Sequence, residues 1–183
     1  RFNFSGRMVI APINVFRRYP LNAIALPYLA GVELYKFEII KVLSATMSVM
    51  EAERRWWQGT LRFDPQIHAV LEELRLRTAG NLGMLINRNP TIDFGSLQNG
   101  VVGGFKTDYY DYTMSVCNLV LGLFNGDYDG DVFNVISLKD KRFRDFFQRL
   151  SPQYMLIDRN DGRYNRKCSL DKDYALGLAS FLS

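Results

Sequence analysis

The chain has 183 residues, of which 48% are hydrophobic and 23% are charged, and these proportions exclude a disordered tail and fit a globular soluble protein. Its 23 Lys and Arg residues exceed its 19 Asp and Glu residues, and the net charge of +4 fits either a polyanionic partner or a slightly basic surface. Since no run approaches about 18 unbroken apolar residues, the sequence predicts no transmembrane helix.

The N-terminal half is predicted to form a short strand followed by helices. In RFNFSGRMVIAP, Gly6 and Arg7 precede an apolar run, which is typical of a turn leading into a strand. Apolar residues recur at three- and four-residue spacing over residues 26–43, which predicts an amphipathic helix. A second helix is predicted in DPQIHAVLEELRLRTAGN, where Asp64 is placed to cap the start and Gly80 to end it.

Between Met84 and Leu138 the pattern changes to short apolar runs broken by Gly, Asn and Asp, which is typical of a β-barrel. Helical spacing returns in KDKRFRDFFQRL, whose basic face we interpret as solvated, and a last helix is predicted in DKDYALGLASFL. The predicted fold class is therefore α+β. It comprises a single β-barrel domain over residues 1–183, with helical insertions at about residues 13–80 and a helical C-terminal extension at about residues 139–183.

The cysteines and the histidine indicate no metal site. Cys117 and Cys168 match no zinc-binding spacing, and we interpret Cys117, which lies in an apolar run, as a buried reduced thiol. His68 lies in a predicted helix without Cys or His neighbours at ligand spacing. With no signal peptide in view, we expect a reducing, cytoplasmic compartment. Because the chain opens at Arg1 rather than Met, we also expect it to be part of a larger or split subunit.

The most unusual segment is FNGDYDGDVFNV, residues 124–135, in which Asp127, Asp129 and Asp131 occupy alternate positions. In an extended segment, side chains two residues apart point to the same side, and neighbouring glycines permit the dihedral angles of a tight loop. Three carboxylates held close together repel one another, and a hard divalent cation removes that cost. All-oxygen ligation suits Mg²⁺, which keeps positions open for substrate phosphates, so the pattern predicts a magnesium site for phosphoryl transfer.

Two other interpretations fit part of the same pattern. A calcium-binding EF-hand loop could begin at Asn125, but its twelfth position would be Ile136, where a bidentate glutamate is needed, and the flanking runs alternate like strands. An acidic surface hairpin stays open, because Asp-Gly is a turn signal. The hairpin does not explain why three carboxylates fall on one side between apolar runs.

This segment and several others resemble the largest (beta-prime) subunit of multisubunit DNA-dependent RNA polymerases. NGDYDGD (125–131) resembles that family's catalytic NADFDGD, RFNFSGRMVI (1–10) resembles RVDYSGRSVI, and LINRNPTI (85–92) resembles LLNRAPTL. The segment ALPYLAGVELYKFEII is similar to GLPKKMALELFKPFI. Near the C-terminus, RLSPQYMLIDRNDG is similar to MLSTNNILSPANG, and DYALGL is similar to DVVLGL. The motifs follow the same order, and the resemblance spans essentially the whole chain.

The resemblance implies a double-psi β-barrel in which Asp127, Asp129 and Asp131 hold a permanent catalytic Mg²⁺. A second Mg²⁺ would arrive with the incoming nucleoside triphosphate, whose ribose hydroxyls Arg88 and Asn125 would recognise. A site that pairs with the 2′-hydroxyl discriminates ribose from deoxyribose, because the wrong sugar leaves a polar group unsatisfied.

The implied function is magnesium-dependent nucleotidyl transfer from nucleoside triphosphates to the RNA 3′ end, directed by a DNA template that Arg7 contacts. The chain has no match for the family's zinc-binding cysteines, bridge helix or trigger loop. We therefore expect activity only in a complex with the remainder of beta-prime and with the second-largest, beta-like subunit, which carries the other barrel.

Departures from the family pattern predict a divergent, phage-encoded enzyme that works in the host-cell cytoplasm. Asn3 replaces an aspartate, Asp93 replaces a histidine, and Gly126 replaces an alanine. One alternative is the two-barrel RNA-dependent RNA polymerase, which also has a DxDGD loop, although the NRNPT motif argues against it. Another is a non-catalytic remnant kept for assembly, against which the intact aspartates argue.

Overall fold

Six strands close into a barrel in the computed structural model, which describes residues 4–13, 19–78, 82–158 and 161–168. The strands are β1 (Ser5–Pro12), β2 (Ala23–Leu26), β3 (Gly83–Arg88), β4 (Leu97–Phe105), β5 (Met114–Val116) and β6 (Val132–Ser137). The helices are α1 (Tyr28–Leu34), α2 (Lys36–Leu43), α3 (Val49–Leu61), α4 (Pro65–Arg77), α5 (Asn118–Leu121) and α6 (Lys141–Phe147). The predicted α+β class with a barrel and peripheral helices is confirmed.

The strand order around the barrel is β1-β5-β2-β4-β3-β6, and β6 returns to β1. The β1–β5 and β2–β4 pairs are parallel, and the remaining pairs are antiparallel. Exchanging the first three strands with the last three, so that β1, β2 and β3 become β4, β5 and β6, reproduces every pairing and its direction. The barrel therefore consists of two topologically equivalent halves.

Side-chain alternation along the strands fills the barrel interior. In β1, Met8 and Ile10 are buried while Arg7 and Val9 are exposed, as expected when successive side chains point to opposite faces. Burying each large apolar side chain stabilises the fold by about 1.5–3 kcal/mol. The other strands contribute in the same way the buried residues Ile24, Met84, Ile86, Val102, Met114, Val116, Phe133 and Val135.

The predicted strand near the N-terminus is confirmed, but it begins earlier in the chain than the sequence pattern predicts. Gly6 and Arg7 lie within β1, opposite Val135 and Asn134 of β6, and not in a turn before it. Hydrogen bonding to β6 extends the strand beyond the apolar run. The short buried strand β2 was not predicted, since its four residues AIAL are too few to show a period.

The single helix predicted over residues 26–43 is wrong in one respect, because it is two helices that meet at Tyr35. Tyr35 has φ −111° and ψ 24°, while its backbone N–H still donates to the Gly31 carbonyl. Its ring is buried, meets the Phe105 ring edge-on, and lies 3.9 Å from the Lys139 ammonium. We attribute the break to the burial of this large side chain between the helices and the barrel.

The helix predicted after Asp64 is confirmed as α4. The Asp64 Oδ1 atom accepts hydrogen bonds from the Gln66 and Ile67 backbone N–H groups at 2.8 and 3.3 Å, and Pro65 occupies the first turn. Helix α3 was not identified as an element. Its signal is the capping box formed by Ser48 and Glu51, which is visible in the sequence as S-x-x-E.

The C-terminal part begins as predicted with a helix, α6, which passes into a 3₁₀ turn over Gln148–Leu150. Phe143 and Phe146 of this helix are exposed, whereas Phe147 is half-buried and packs against the hydrophobic core. The predicted helix in DKDYALGLASFL and the predicted terminator Gly80 lie outside the described residues. Within the described ranges, no helix has the length and apolar character needed to cross a membrane.

Candidate functional site

The acidic loop, residues 125–131, lies at one end of the barrel. It follows a 3₁₀ turn over Gly122–Phe124 and runs directly into β6. The Ile10 N–H of β1 donates to the Asp131 carbonyl at 3.0 Å, so the end of the loop is attached to the strand next to β6. The closed barrel therefore fixes where Asp131 lies.

Two residues of the acidic loop adopt unusual backbone conformations. Asn125 is left-handed, with φ 50° and ψ 37°, and Gly130 has φ 114°, which only glycine adopts without strain. At Gly126, a Cβ atom would lie 3.1 Å from Leu121 Cδ1 and 3.2 Å from Phe133 Cζ. Glycine is favoured here because the loop backbone passes close to the core.

Tyr128 attaches the middle of the acidic loop to the barrel. Its hydroxyl is 2.6 Å from Asn118 Oδ1 and 3.3 Å from the Val116 carbonyl, at the junction of β5 and α5. The half-buried ring packs against the hydrophobic core. Asp127 and Asp129 flank this anchored residue and are exposed, so their carboxylates face solvent.

Arg88 and Asp131, which are 43 residues apart in sequence, form a two-pronged ion pair at the barrel end. Arg88 Nε donates to Asp131 Oδ2 at 2.8 Å and Arg88 Nη2 donates to Oδ1 at 3.2 Å. The Asp127 N–H also donates to Oδ2 at 2.9 Å. Arg88 is the last residue of β3, and it reaches the loop because β3 pairs with β6.

The environment lowers the pKa of the Asp131 carboxyl group. Partial burial removes water and acts to raise this pKa, but the hydrogen bond from Arg88, the hydrogen bond from the Asp127 N–H and the positive charge of Arg88 together lower it. Asp131 is therefore a carboxylate at neutral pH, as a metal ligand must be.

The predicted convergence of the three carboxylates is not present in this arrangement. Across the described part of the chain, no group of three or more His, Cys, Asp or Glu side chains is placed to hold a metal ion. Asp131 faces Arg88, and Asp127 Oδ1 accepts its neighbour Tyr128's N–H at 2.7 Å. By donor chemistry, three carboxylates within five residues fit a hard divalent cation. The magnesium site stays a prediction.

Arg7, the predicted template contact, lies in β1. It is exposed on the outer wall of β1, opposite Asn134. It lines a groove of about 540 Å³ between β1 and the helices, together with the aromatic residues Phe37 and Trp56.

A second cavity, of about 400 Å³, lies beside the turn that leads into the acidic loop and was not predicted. Asp93 caps a 3₁₀ turn over Phe94–Ser96 and forms an ion pair with Lys167, which joins this turn to the C-terminal segment. Phe94, Tyr154 and Leu123 line the cavity, and Leu123 precedes Asn125 by two positions. Asp93 is the residue that replaces a histidine of the resembled family, but nothing in the sequence indicates its pairing with Lys167.

The cysteines and the histidine occupy structural positions. Cys117 is free and half-buried, so the predicted burial holds only in part, and Cys168 is the fully buried thiol, whose pKa is raised by desolvation. His68 Nε2 lies 3.2 Å from the Phe105 carbonyl and its ring contacts Phe63. The contact with Phe105 joins α4 to β4.

Comparison of this chain with protein-family models and with curated proteins found no match.

Proposed function

We propose that this chain carries the catalytic centre of a DNA-dependent RNA polymerase. The observation that carries the proposal is the meeting of Arg88, Asp131 and the acidic loop at one end of a closed six-stranded barrel. The resemblance assigns these distant residues to a single site, and barrel closure brings Arg88 and Asp131 within hydrogen-bond distance. Chance motif similarity gives no reason for that contact.

The barrel is proposed to be of the double-psi type. A double-psi barrel has two interlocked three-strand halves related by a pseudo-twofold axis. The equivalence of β1–β3 and β4–β6 in pairing and direction supports this assignment. In this arrangement the acidic loop precedes the last strand of the second half, and Arg88 ends the last strand of the first half.

Asp127, Asp129 and Asp131 would hold Mg²⁺, with a second Mg²⁺ brought by the nucleoside triphosphate. When bound, the metals would supply activation of the RNA 3′-hydroxyl and stabilisation of charge on the transferring phosphoryl group. The chain's own side chains position the substrate. Arg88 and Asn125 are proposed to hydrogen-bond the ribose hydroxyls, and the exposed Asn125 extends from a backbone fixed in the left-handed region.

The proposed complex contains the remainder of beta-prime, a beta-like subunit with the second barrel, template DNA and the RNA product. The groove beside Arg7 is proposed to contact the template strand, because a guanidinium binds phosphate without reading sequence. The proposed location is the cytoplasm of a host cell, for a divergent and phage-encoded enzyme.

The test is RNA primer extension by the assembled enzyme, with Asp127, Asp129 and Asp131 all changed to Asn. We expect extension to fall by at least about 10³-fold, because the catalytic metals lose their ligands, while co-purification of the partner subunits is unchanged.

The matched control replaces three exposed carboxylates elsewhere: Glu53→Gln, Glu73→Gln and Asp145→Asn. This control removes the same total charge and should extend the primer at the wild-type rate. Undiminished synthesis by the Asp127, Asp129 and Asp131 variant would contradict the proposal and favour the assembly remnant. Preference for an RNA template would favour the RNA-dependent alternative.

A further inference from the structure

Arg88 occupies the carboxylate that the proposed metal needs. Its Nε and Nη2 atoms donate to the two oxygens of Asp131 at 2.8 and 3.2 Å, and the Asp127 N–H shares Oδ2. The Arg88 and Asp131 side chains are only 19% and 21% exposed, so solvent screens the pair weakly. An aspartate that accepts three hydrogen bonds has few lone pairs left for a cation.

A guanidinium and a divalent cation on one carboxylate also repel each other at short range. We propose that Arg88 is an exchangeable counter-cation of Asp131. It neutralises Asp131 in the metal-free loop, and metal entry displaces it from Asp131 towards the ribose hydroxyls of the nucleotide. This inference rests on the proposed function, since it takes the acidic loop as the metal site.

The neighbouring contacts fit an exchange in which the loop stays in place. Tyr128 remains anchored to Asn118, and the Asp131 carbonyl remains bonded to Ile10, whichever cation the carboxylate carries. The Arg88 side chain can then move while its backbone stays paired with β6 opposite Phe133. The ion pair has to open, and the exposed Asp127 and Asp129 side chains have to turn towards Asp131.

The exchange couples metal binding to nucleotide binding. A metal that displaces Arg88 makes the guanidinium available to the sugar, and by linkage a nucleotide that engages Arg88 strengthens metal binding by the same factor. The residue that reads the sugar would thus become available only when the catalytic metal is bound.

The experiment measures the affinity of the intact protein for Mn²⁺ alone, by electron paramagnetic resonance of the free ion. Arg88→Gln removes the competing cation, and we expect Mn²⁺ to bind about five- to tenfold more tightly than in wild type. The control Arg142→Gln, at an exposed position of α6, removes the same charge without touching the loop and reports the nonspecific effect. Equal or weaker binding by Arg88→Gln than by Arg142→Gln would overturn the exchange.

A second variant covers the case in which Arg88→Gln does not fold. Arg88→Lys keeps the positive charge but cannot make the two-pronged contact, so we expect it to bind Mn²⁺ more tightly than wild type does. In wild type, diamagnetic Mg²⁺ can be titrated into the same metal site and followed by nuclear magnetic resonance. The ¹⁵Nε resonance of Arg88 should then shift in proportion to the fraction of sites that hold Mg²⁺. A resonance that stays fixed at saturation would also overturn the exchange.

The two proposals fail in different ways. If changing Asp127, Asp129 and Asp131 to Asn leaves Mn²⁺ binding intact, the metal site of the proposed function is wrong and the exchange falls with it. If that variant loses Mn²⁺ but Arg88→Gln gains no affinity over Arg142→Gln, the exchange alone is wrong. Absence of Mn²⁺ binding in every variant contradicts both proposals.

Discussion

Tyr128 decides how firmly the acidic loop is held. Its hydroxyl reaches Asn118 Oδ1 and the Val116 carbonyl, and its ring covers part of the core between the exposed Asp127 and Asp129. The chain has tyrosine where the resembled family has phenylalanine, so the anchoring hydroxyl is an addition to the family pattern.

Tyr128→Phe should lower the free energy of unfolding by about 1 kcal/mol, because the contacts of the hydroxyl are lost while the ring remains. Urea denaturation followed by tryptophan fluorescence measures this change. Tyr110→Phe is the matched control, since Tyr110 is 79% exposed. This variant should unfold at the same urea concentration as the wild type. Equal midpoints for the two variants would show that the hydroxyl does not anchor the loop.

At the scale of single residues, sequence patterns identify the candidate ligands but not their partners. The spacing of Asp127, Asp129 and Asp131 is visible in the chain, and it predicts a shared chemistry. The pairing of Arg88 with Asp131 is not visible, because only barrel closure brings β3 beside β6. The carboxylate that faces Arg88 could therefore not be told apart from its two neighbours.

Helix α4 is the element whose start is best determined by local chemistry. Asp64 accepts the backbone N–H groups of Gln66 and Ile67, and it pairs with Arg55 of α3 at 2.8 Å. Burial alone would raise the pKa of Asp64, but the hydrogen bond from Arg55 and those two N–H groups lower it overall. The folded state therefore holds the ionised carboxylate more strongly than the unfolded chain does.

Asp64→Ala should lower the free energy of unfolding at pH 7 by about 1–2 kcal/mol, because α4 loses its cap. Asp64→Asn keeps a cap acceptor and should lose less. Since the folded pKa lies below the unfolded one, the Asp64 contribution is complete above about pH 4 and disappears as the pH falls through the folded value. The stability difference between wild type and Asp64→Asn should shrink below about pH 4, and a constant difference down to pH 2 would contradict this account.

The 3₁₀ turn over Phe94–Ser96 packs, through Gly95, against the turn that leads into the acidic loop. A Cβ atom at Gly95 would lie 2.6 Å from the Leu123 carbonyl oxygen, which belongs to the turn that leads into Asn125. Gly95→Ala should lower the free energy of unfolding by about 1–3 kcal/mol, measured by urea denaturation, because backbone must move. Gly104→Ala is the control, since its nearest neighbour would be 3.8 Å away. If Gly95→Ala is as stable as Gly104→Ala, the backbone at Gly95 does not pack tightly against the Leu123 carbonyl.

Element boundaries show where sequence patterns are sufficient. A helix cap depends only on residues that are close in sequence, so the start of α4 was predicted. The capping box at Ser48 and Glu51 marks the start of α3 in the same way. The break at Tyr35 is not local, because it depends on Phe105 and Lys139 packing against one ring. A periodic apolar pattern continues through such a break unchanged.

For the whole molecule, the short apolar runs broken by Gly, Asn and Asp predicted a barrel. The order of the strands around it could be read only from the structure. The parallel pairing of β1 with β5 joins residues about 100 positions apart, as between Ile10 and Met114, and no turn signal encodes it. The equivalence of the two halves appears only once all six pairings are known.

The proposed division of the active centre between two subunits predicts that this chain is inactive alone. With Mg²⁺, nucleoside triphosphates, and an annealed RNA primer and DNA template, the isolated chain should extend no primer. The assembled enzyme from the same preparation should extend it. Robust extension by the isolated chain would contradict the need for a second barrel.

The central claim is that the acidic loop holds its metal at the RNA 3′ end. When Fe²⁺ replaces Mg²⁺ in the assembled enzyme on a primed template, added hydrogen peroxide oxidises it to Fe³⁺ and yields hydroxide and a hydroxyl radical. The radical cuts whatever lies beside the metal. We expect cuts at the last nucleotides of the RNA and in the protein around residues 125–131, and both should be lost in Asp129→Asn. Cuts elsewhere, or cuts that persist in Asp129→Asn, would contradict it.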